Sequence, residues 1–209
     1  TPFHLETLDP NNTTKLHHAA EPLQWISDHL AQRVNCFTSL AKRLSPQGRQ
    51  WKIEFDEHSI VANNVVLAIG ANPKALDHPT PKPIPLKDAM DSERMNHHID
   101  KNDTVAVFGS SHSAILVIRE LVEHGVKKII NFYRSPLKYA VYMDDWILFD
   151  DTGLKGSTAQ WAREFIQANP PDNLFRVISN DENIEQYLPL CDKVIYAIGF
   201  ERRHLPVID

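Results

Sequence analysis

At 209 residues the chain has room for one large domain or one and a half ordinary ones, and 42% apolar with 23% charged residues is the balance of a water-soluble globular protein. A net charge of −5 with no basic stripe argues against a general nucleic-acid binder. No run of ~18 apolar residues is present to span a membrane, and no secretory signal is found. The two cysteines, Cys36 and Cys191, are far apart and form no Cys-x-x-Cys. That removes a dithiol redox centre and points to a reducing cytoplasm, with both thiols expected as buried packing. The chain opens at Thr1 rather than Met, which suggests an excised piece of a longer protein.

Residues 1–18 show little periodicity and are expected as loop. His17 and His18 are adjacent, so their side chains diverge on a helix or a strand, and no metal role is expected for them. Leu23, Ile26, Leu30 and Val34 lie three or four apart and predict an amphipathic helix over 21–34, with Pro22 near its start. Strand-like segments follow at 35–44, Trp51–Phe55 and 63–69, separated by turns at 45–48 and 56–58. They make a small meander that feeds a buried strand ending in Ala68-Ile69-Gly70. Residues 71–102 are rich in Pro and charge, and 76–102 are expected to be a linker, with His97-His98 on its surface.

Asp103–Ser135 carries the strongest local signal. Val105-Ala106-Val107-Phe108 is short and β-branched enough for a buried parallel strand. Gly109 breaks it, and Ser110, Ser111 and Ser113 suit the start of a helix. Ala114, Val117, Ile118, Leu121 and Val122 then form one apolar stripe, and Gly125 supplies a stop. A second apolar run, Ile129–Tyr133, closes a βαβ unit whose first turn is a place for a dinucleotide's phosphates. Set against Gly-x-Gly-x-x-Gly/Ala, the residues are Gly109-Ser110-Ser111-His112-Ser113-Ala114. The first Gly is kept, Ala114 is an accepted third residue, and Ser111 places a hydroxyl where the backbone usually meets pyrophosphate. His112 sits where it can touch phosphate or nicotinamide, or simply serve in the capping region. Arg134 follows Gly109 by 25 residues, near the roughly 20 at which an acid selects NAD. No acid stands there, and a forked guanidinium with Ser135 beside it suits the 2′-phosphate of NADP.

Beyond that unit, 136–151 is irregular and aromatic, with Tyr139, Tyr142, Trp146 and Phe149 either packing over the sheet edge or walling a cleft. Ser157 is expected to cap a helix carrying Ala159, Ala162, Phe165 and Ile166. Leu174–Ile178 is a strand, 181–190 a connection with at most one helical turn, and 193–198 a final strand. That strand ends in Ala197-Ile198-Gly199, echoing Ala68-Ile69-Gly70. A glycine at such a strand end permits a tight turn or a close approach to a ligand. No acid, base or nucleophile stands out as catalytic, and no metal site is expected.

The order Val-Val-Leu-Ala-Ile-Gly, linker, Val-Ala-Val-Phe-Gly-Ser-Ser-His-Ser-Ala, Phe-Tyr-Arg-Ser-Pro, Val-Ile-Tyr-Ala-Ile-Gly-Phe resembles the FAD/NAD(P)-binding pyridine nucleotide-disulfide oxidoreductase superfamily, in its flavin monooxygenase-like branch. The resemblance implies an α/β fold: a Rossmann-like NAD(P)-binding domain with a parallel sheet, plus a partial FAD-domain segment containing the β-meander. The partial FAD segment would occupy 1–75, the linker 76–102, the NADP domain 103–200, and a return toward the FAD domain 201–209. In both strand ends Ile69 and Ile198 replace the family's usual Thr. Nothing before Glu21 resembles the glycine-rich βαβ that grips FAD there. The implied protein is an FAD- and NADPH-dependent oxidoreductase seen in part, passing hydride from NADPH to flavin and then to a small-molecule substrate or electron acceptor. Gly70, Gly109–Ala114, Arg134, Ser135 and Gly199 would contact the cofactors. A non-catalytic Rossmann-like nucleotide-binding or interaction module is the alternative.

Overall fold

A computed structural model describes residues 3–9 and 14–209. In chain order the helices are α1 (Leu16–Ala31), α2 (Leu86–Ala89), α3 (Ser92–Met95), α4 (His112–His124), α5 (Gly156–Ala162) and α6 (Asp181–Tyr187). The first six strands are β1 (Arg43–Gln47), β2 (Gln50–Glu54), β3 (Ser59–Ala62), β4 (Ala71–Pro73), β5 (Lys82–Pro83) and β6 (Thr104–Phe108). Then come β7 (Lys128–Tyr133), β8 (Val141–Tyr142), β9 (Ile147–Leu148), β10 (Leu174–Ile178), β11 (Lys193–Tyr196), β12 (Phe200–Arg202) and β13 (Val207–Ile208). The chain divides into two compact units, Thr1–Ala71 with Arg202–Asp209, and Asn72–Glu201.

The first unit holds α1 and a sheet of order β13-β1-β2-β3. The meander β1-β2-β3 is antiparallel, and β13 joins β1 in parallel. Its buried centre is small: Leu44 and Ile53 face each other across the β1–β2 ladder. Arg43 grips the Asp209 carboxylate with both contacts from one nitrogen, at 2.7 and 3.0 Å. Helix α1 begins earlier than the periodicity predicts, because Ala19 and Ala20 are strong helix formers that carry it upstream of Pro22. None of its residues is buried; Leu23, Trp25, Ile26 and Leu30 are all exposed.

The expected strand over 63–69 is absent, and this corrects the sequence reading. The segment pairs with no strand, and Val66 is 88% exposed. A continuous apolar run encodes a preference for a covered position, but it does not say which layer will cover it.

The second unit is a five-stranded, wholly parallel sheet of order β10-β7-β6-β11-β5 with helices on both faces. Strand β6 lies at its centre with all five residues buried. Val105 and Val107 pack with Ala114, Ile115, Ile118 and Leu121 of α4, while Ala106 and Phe108 face Leu188, Cys191 and Tyr196 on the other side. This alternation is the strand's two-residue period, and burial on both faces explains why the run reads as continuously apolar. Helix α4 ends at Gly125 in the left-handed conformation, its amide bonded back to Leu121 and Val122.

Residues 76–102 do not form a linker. They supply β5, α2 and α3, and Ile84, Leu86, Ala89, Met95 and Ile99 enter the core of this unit. The Ile84 amide donates to the Val194 carbonyl at 2.8 Å. The elements are too short to show a helical period, and the Pro and charge between them mask five inward apolar side chains. Smaller differences follow the same pattern. Segment 136–151 contains the β8–β9 hairpin, with Tyr142, Trp146 and Phe149 exposed rather than packed on the sheet. Lys155, not Ser157, stands at the cap of α5. Helix α6 is two turns long because the Asn180 side chain accepts from the Asn183 amide. Among the described residues no helix is long and apolar enough to cross a membrane.

Candidate functional site

The site is built where β6 turns into α4. Gly109 has φ of +126°, a conformation L side chains rarely adopt. A Cβ there would lie 2.3 Å from the Ala197 carbonyl oxygen and 3.2 Å from the Ala114 Cβ. Backbone angle and space both require glycine. The turn is pinned on two sides, since the Gly109 amide donates to Phe132 at 2.9 Å and the Ala197 amide donates to Phe108 at 2.8 Å. Ala114, fully buried, is small enough to let α4 lie against this junction.

Ser111 is the N-cap residue of α4, yet its side chain makes no capping hydrogen bond. The first-turn amides of a helix have no partners within it, and they carry the positive end of its dipole. No acidic residue occupies that turn. Ser111, His112 and Ser113 line a cleft of about 270 Å³ together with Gly199 and Phe200 beyond β11 and the loop 151–153. Asp151 is the acid among its lining residues. His112 Nε2 lies 3.1 Å from the Thr158 hydroxyl on α5. Partial burial, and then the positive charge of Lys155, push the His112 pKa down and so disfavour its protonated form.

Strand β7 ends at Tyr133, and Arg134 and Ser135 emerge exposed just after it. Because Gly109 bonds to Phe132, the exit of β7 lies beside the glycine turn, one strand spacing away. Gly109–Ala114, Arg134 and Ser135 are thus brought to one end of adjacent strands. Gly199, with φ of +96°, lines the cleft with Ser111, His112 and Ser113, whereas Arg134 and Ser135 stand outside its lining. Gly70, with φ of +68°, belongs to the first unit, where it follows an unpaired run. The two Ala-Ile-Gly ends are therefore not equivalent: only the second closes a paired, buried strand.

Two residues of this region went unrecognised in the sequence. Asn131 is wholly buried in the middle of β7. Its amide donates to the carbonyls of Val107 at 2.9 Å and Gly109 at 2.8 Å. Its oxygen accepts from Arg176 Nε on β10 at 2.8 Å. The available signal was a polar residue centred in each of two apolar runs, Ile-Ile-Asn-Phe-Tyr and Leu-Phe-Arg-Val-Ile.

The thiols also divide differently from expectation. Cys191 is buried, and burial followed by the Asp192 carboxylate pushes its pKa up to about 12, whereas Cys36 is exposed. The segment around Cys36 lies outside any described helix or strand. Among the described residues no cluster of His, Cys, Asp or Glu could hold a metal ion.

A dinucleotide fits the second unit on its own features: a tight glycine turn that leads into α4, and a helix start free of acids. The first unit has no comparable grip for a flavin among its described residues. Its two glycines, Gly48 in the β1–β2 turn and Gly70, introduce no helix.

Comparison with known proteins gives this geometry its context. The chain is 30% identical over 241 residues to the monooxygenase AgnR1 of Paecilomyces divaricatus, matching 95% of this chain and 59% of that protein. The crystal structure of L-lysine 6-monooxygenase from Pseudomonas syringae superposes with a TM-score of 0.66 at 15% identity, over 94% of this chain and 60% of that one. The ornithine N-hydroxylase of Kutzneria sp. 744, solved with reduced FAD, NADP+ and L-ornithine, gives 0.59 at 14% identity over 90% and 59%. At such identities these two structures speak for the fold alone. The chain thus spans about three-fifths of the length of these relatives. The model of the L-lysine 6-monooxygenase/L-ornithine 5-monooxygenase family matches residues 2–149, about seven-tenths of the sequence, and with it the chain belongs to that family of flavin-dependent oxidoreductases.

Proposed function

We propose that the unit Asn72–Glu201 is the NADPH-binding part of a flavin-dependent monooxygenase acting on a small molecule. The observation that carries this reading is the Gly109 turn, wedged against the Ala197 carbonyl and opening directly into α4. NADPH, when bound, would supply the hydride that reduces the flavin of the whole protein. The chain's own residues bind and orient. First-turn amides of α4 receive the pyrophosphate, and the uncommitted Ser111 hydroxyl donates to it. Arg134 and Ser135 meet the 2′-phosphate, the guanidinium offering paired donors at fixed geometry. His112 presents its imidazole at the cleft beside the Thr158 hydroxyl, a further hydrogen-bonding group for the ligand. Gly199 leaves the opposite wall without a side chain, so the backbone can approach the ligand closely. FAD is assigned to the whole protein rather than to the described residues of this chain, and the substrate amine named for the family, lysine or ornithine, is the class to test first.

Calorimetric titration of the chain with NADPH tests the proposal. Saturable one-to-one binding is expected; absence of binding at millimolar nucleotide refutes it.

A further inference from the structure

Resting on that reading, a second feature of the unit has a role in the same site. Asn131 uses every polar atom it has: two donations from its amide nitrogen, to Val107 and Gly109, and one acceptance, from Arg176. The arrangement fixes which way the amide faces, since only the nitrogen can donate to carbonyls and only the oxygen can accept from a guanidinium. Arg176 is held in place by more than this bond, with its guanidinium carbon 4.7 Å over the Tyr133 ring. It is a costly neighbour. Burial pushes its pKa down, and its Nη2 is buried without a hydrogen-bond partner. An apolar pair at these two facing positions, Asn131 and Arg176 in the β7–β10 register, would be easier to bury.

The geometry of the peptide bond says what the pair does. In a trans peptide the carbonyl and the following N–H point in opposite directions. Drawing the Gly109 carbonyl toward Asn131 therefore turns the Ser110 N–H away from it. At φ of +126° Gly109 has a backbone freedom that other residues lack, so its peptide plane needs an external constraint. We propose that Asn131, locked by Arg176, is a positioning residue for the nucleotide's pyrophosphate: it sets the Gly109–Ser110 peptide plane and presents the Ser110 amide to the anion.

The experiment uses the whole chain and four variants: Arg176→Met, Arg176→Lys, Asn131→Asp and the double change Asn131→Leu/Arg176→Met. The double variant removes the Asn131–Arg176 contact with both its partners, but it also leaves the Val107 and Gly109 carbonyls without the amide that donates to them, so it should melt below the parent. Each is titrated with NADPH and with NADH, after its far-UV spectrum and melting confirm a folded unit. The double variant is expected to melt cooperatively, yet to bind both nucleotides about tenfold more weakly, with their ratio unchanged. Arg176→Met should fall between it and the parent, and Arg176→Lys should recover part of the loss. Asn131→Asp keeps the arginine contact but loses both donors, and should bind as weakly as the double variant. The Ser110 amide resonance should shift on adding NADPH to the parent chain and not in the double variant. A folded double variant that binds both nucleotides like the parent, with the same Ser110 shift, overturns the positioning role alone. Failure of the parent to bind either nucleotide overturns both this role and the reading beneath it.

Discussion

Replacing Gly109 by alanine is the sharpest perturbation this fold offers. Two separate costs arise. The first is the backbone: a non-glycine residue held at φ of +126° is strained by about 1–3 kcal/mol. The second is overlap. A Cβ 2.3 Å from the Ala197 oxygen must be relieved by roughly an ångström of movement, and overpacking of this kind costs about 1–3 kcal/mol. The end of β11 cannot yield freely, because the Ala197 amide is bonded to Phe108 at 2.8 Å. Taken together, about 4 kcal/mol is lost, and at ~2–4 °C per kcal/mol the melting temperature should drop by about 8–16 °C. Gly125→Ala supplies the control. Gly125 is also left-handed, at φ of +74°, but a Cβ there meets nothing within 4 Å. Only a backbone cost of about 1–2 kcal/mol applies, so its melting temperature should fall by about 2–8 °C. Thermal unfolding followed by far-UV circular dichroism measures both variants side by side. If Gly109→Ala melts at or above Gly125→Ala, the wedge between Ala197 and α4 does not exist as described.

Three further outcomes are expected. The His112 pKa is lowered on folding, so the unfolded chain binds more protons through the ordinary histidine range, and this residue's contribution to stability falls as pH drops through that range. Unfolding measured from about pH 5 to 7.5 should show a steeper acid-side loss in the parent than in His112→Gln; parallel profiles would contradict it. Alkylation of the folded chain at about pH 8 should modify the exposed Cys36 and spare Cys191, whose thiol stays protonated with a pKa near 12. Intact mass should show one adduct when folded and two in denaturant, so two adducts on the folded chain would overturn the buried assignment. The purified chain should be colourless, because the described residues of the first unit contain no glycine turn leading into a helix; flavin absorbance travelling with the protein would refute that.

The parts of this fold that the sequence expressed were those written in local pattern. Strand β6, helix α4 and strand β7 followed from an apolar run, a glycine, a 3.6-residue stripe and a second run, each readable within its own window. What failed depended on distant neighbours. The run Val65–Ile69 reads as buried but finds no partner strand, while Ile84–Ile99 reads as linker but finds a core to enter. The need for glycine at 109 was visible as a motif position. Its steric cause, the carbonyl of Ala197, lies 88 residues away and could not be read from spacing. Asn131 and Arg176 each stood out as a polar residue inside an apolar run, but their partnership could not be read until the β7–β10 register set one opposite the other. Arg134 was picked out by its distance from Gly109, and the structure sets it at the strand exit beside the turn.

The central claim is that the second unit distinguishes NADPH from NADH through one guanidinium, that of Arg134 at the exit of β7. The decisive measurement is therefore the ratio of the two dissociation constants for the parent chain and for Arg134→Ala. A charge-assisted contact to phosphate is worth about 1.5–3 kcal/mol, so the parent should favour NADPH by roughly ten- to a hundredfold. Arg134→Ala should bring the two affinities together by weakening NADPH and leaving NADH unchanged. Equal affinities in the parent, or an NADPH preference that survives the loss of Arg134, would contradict it.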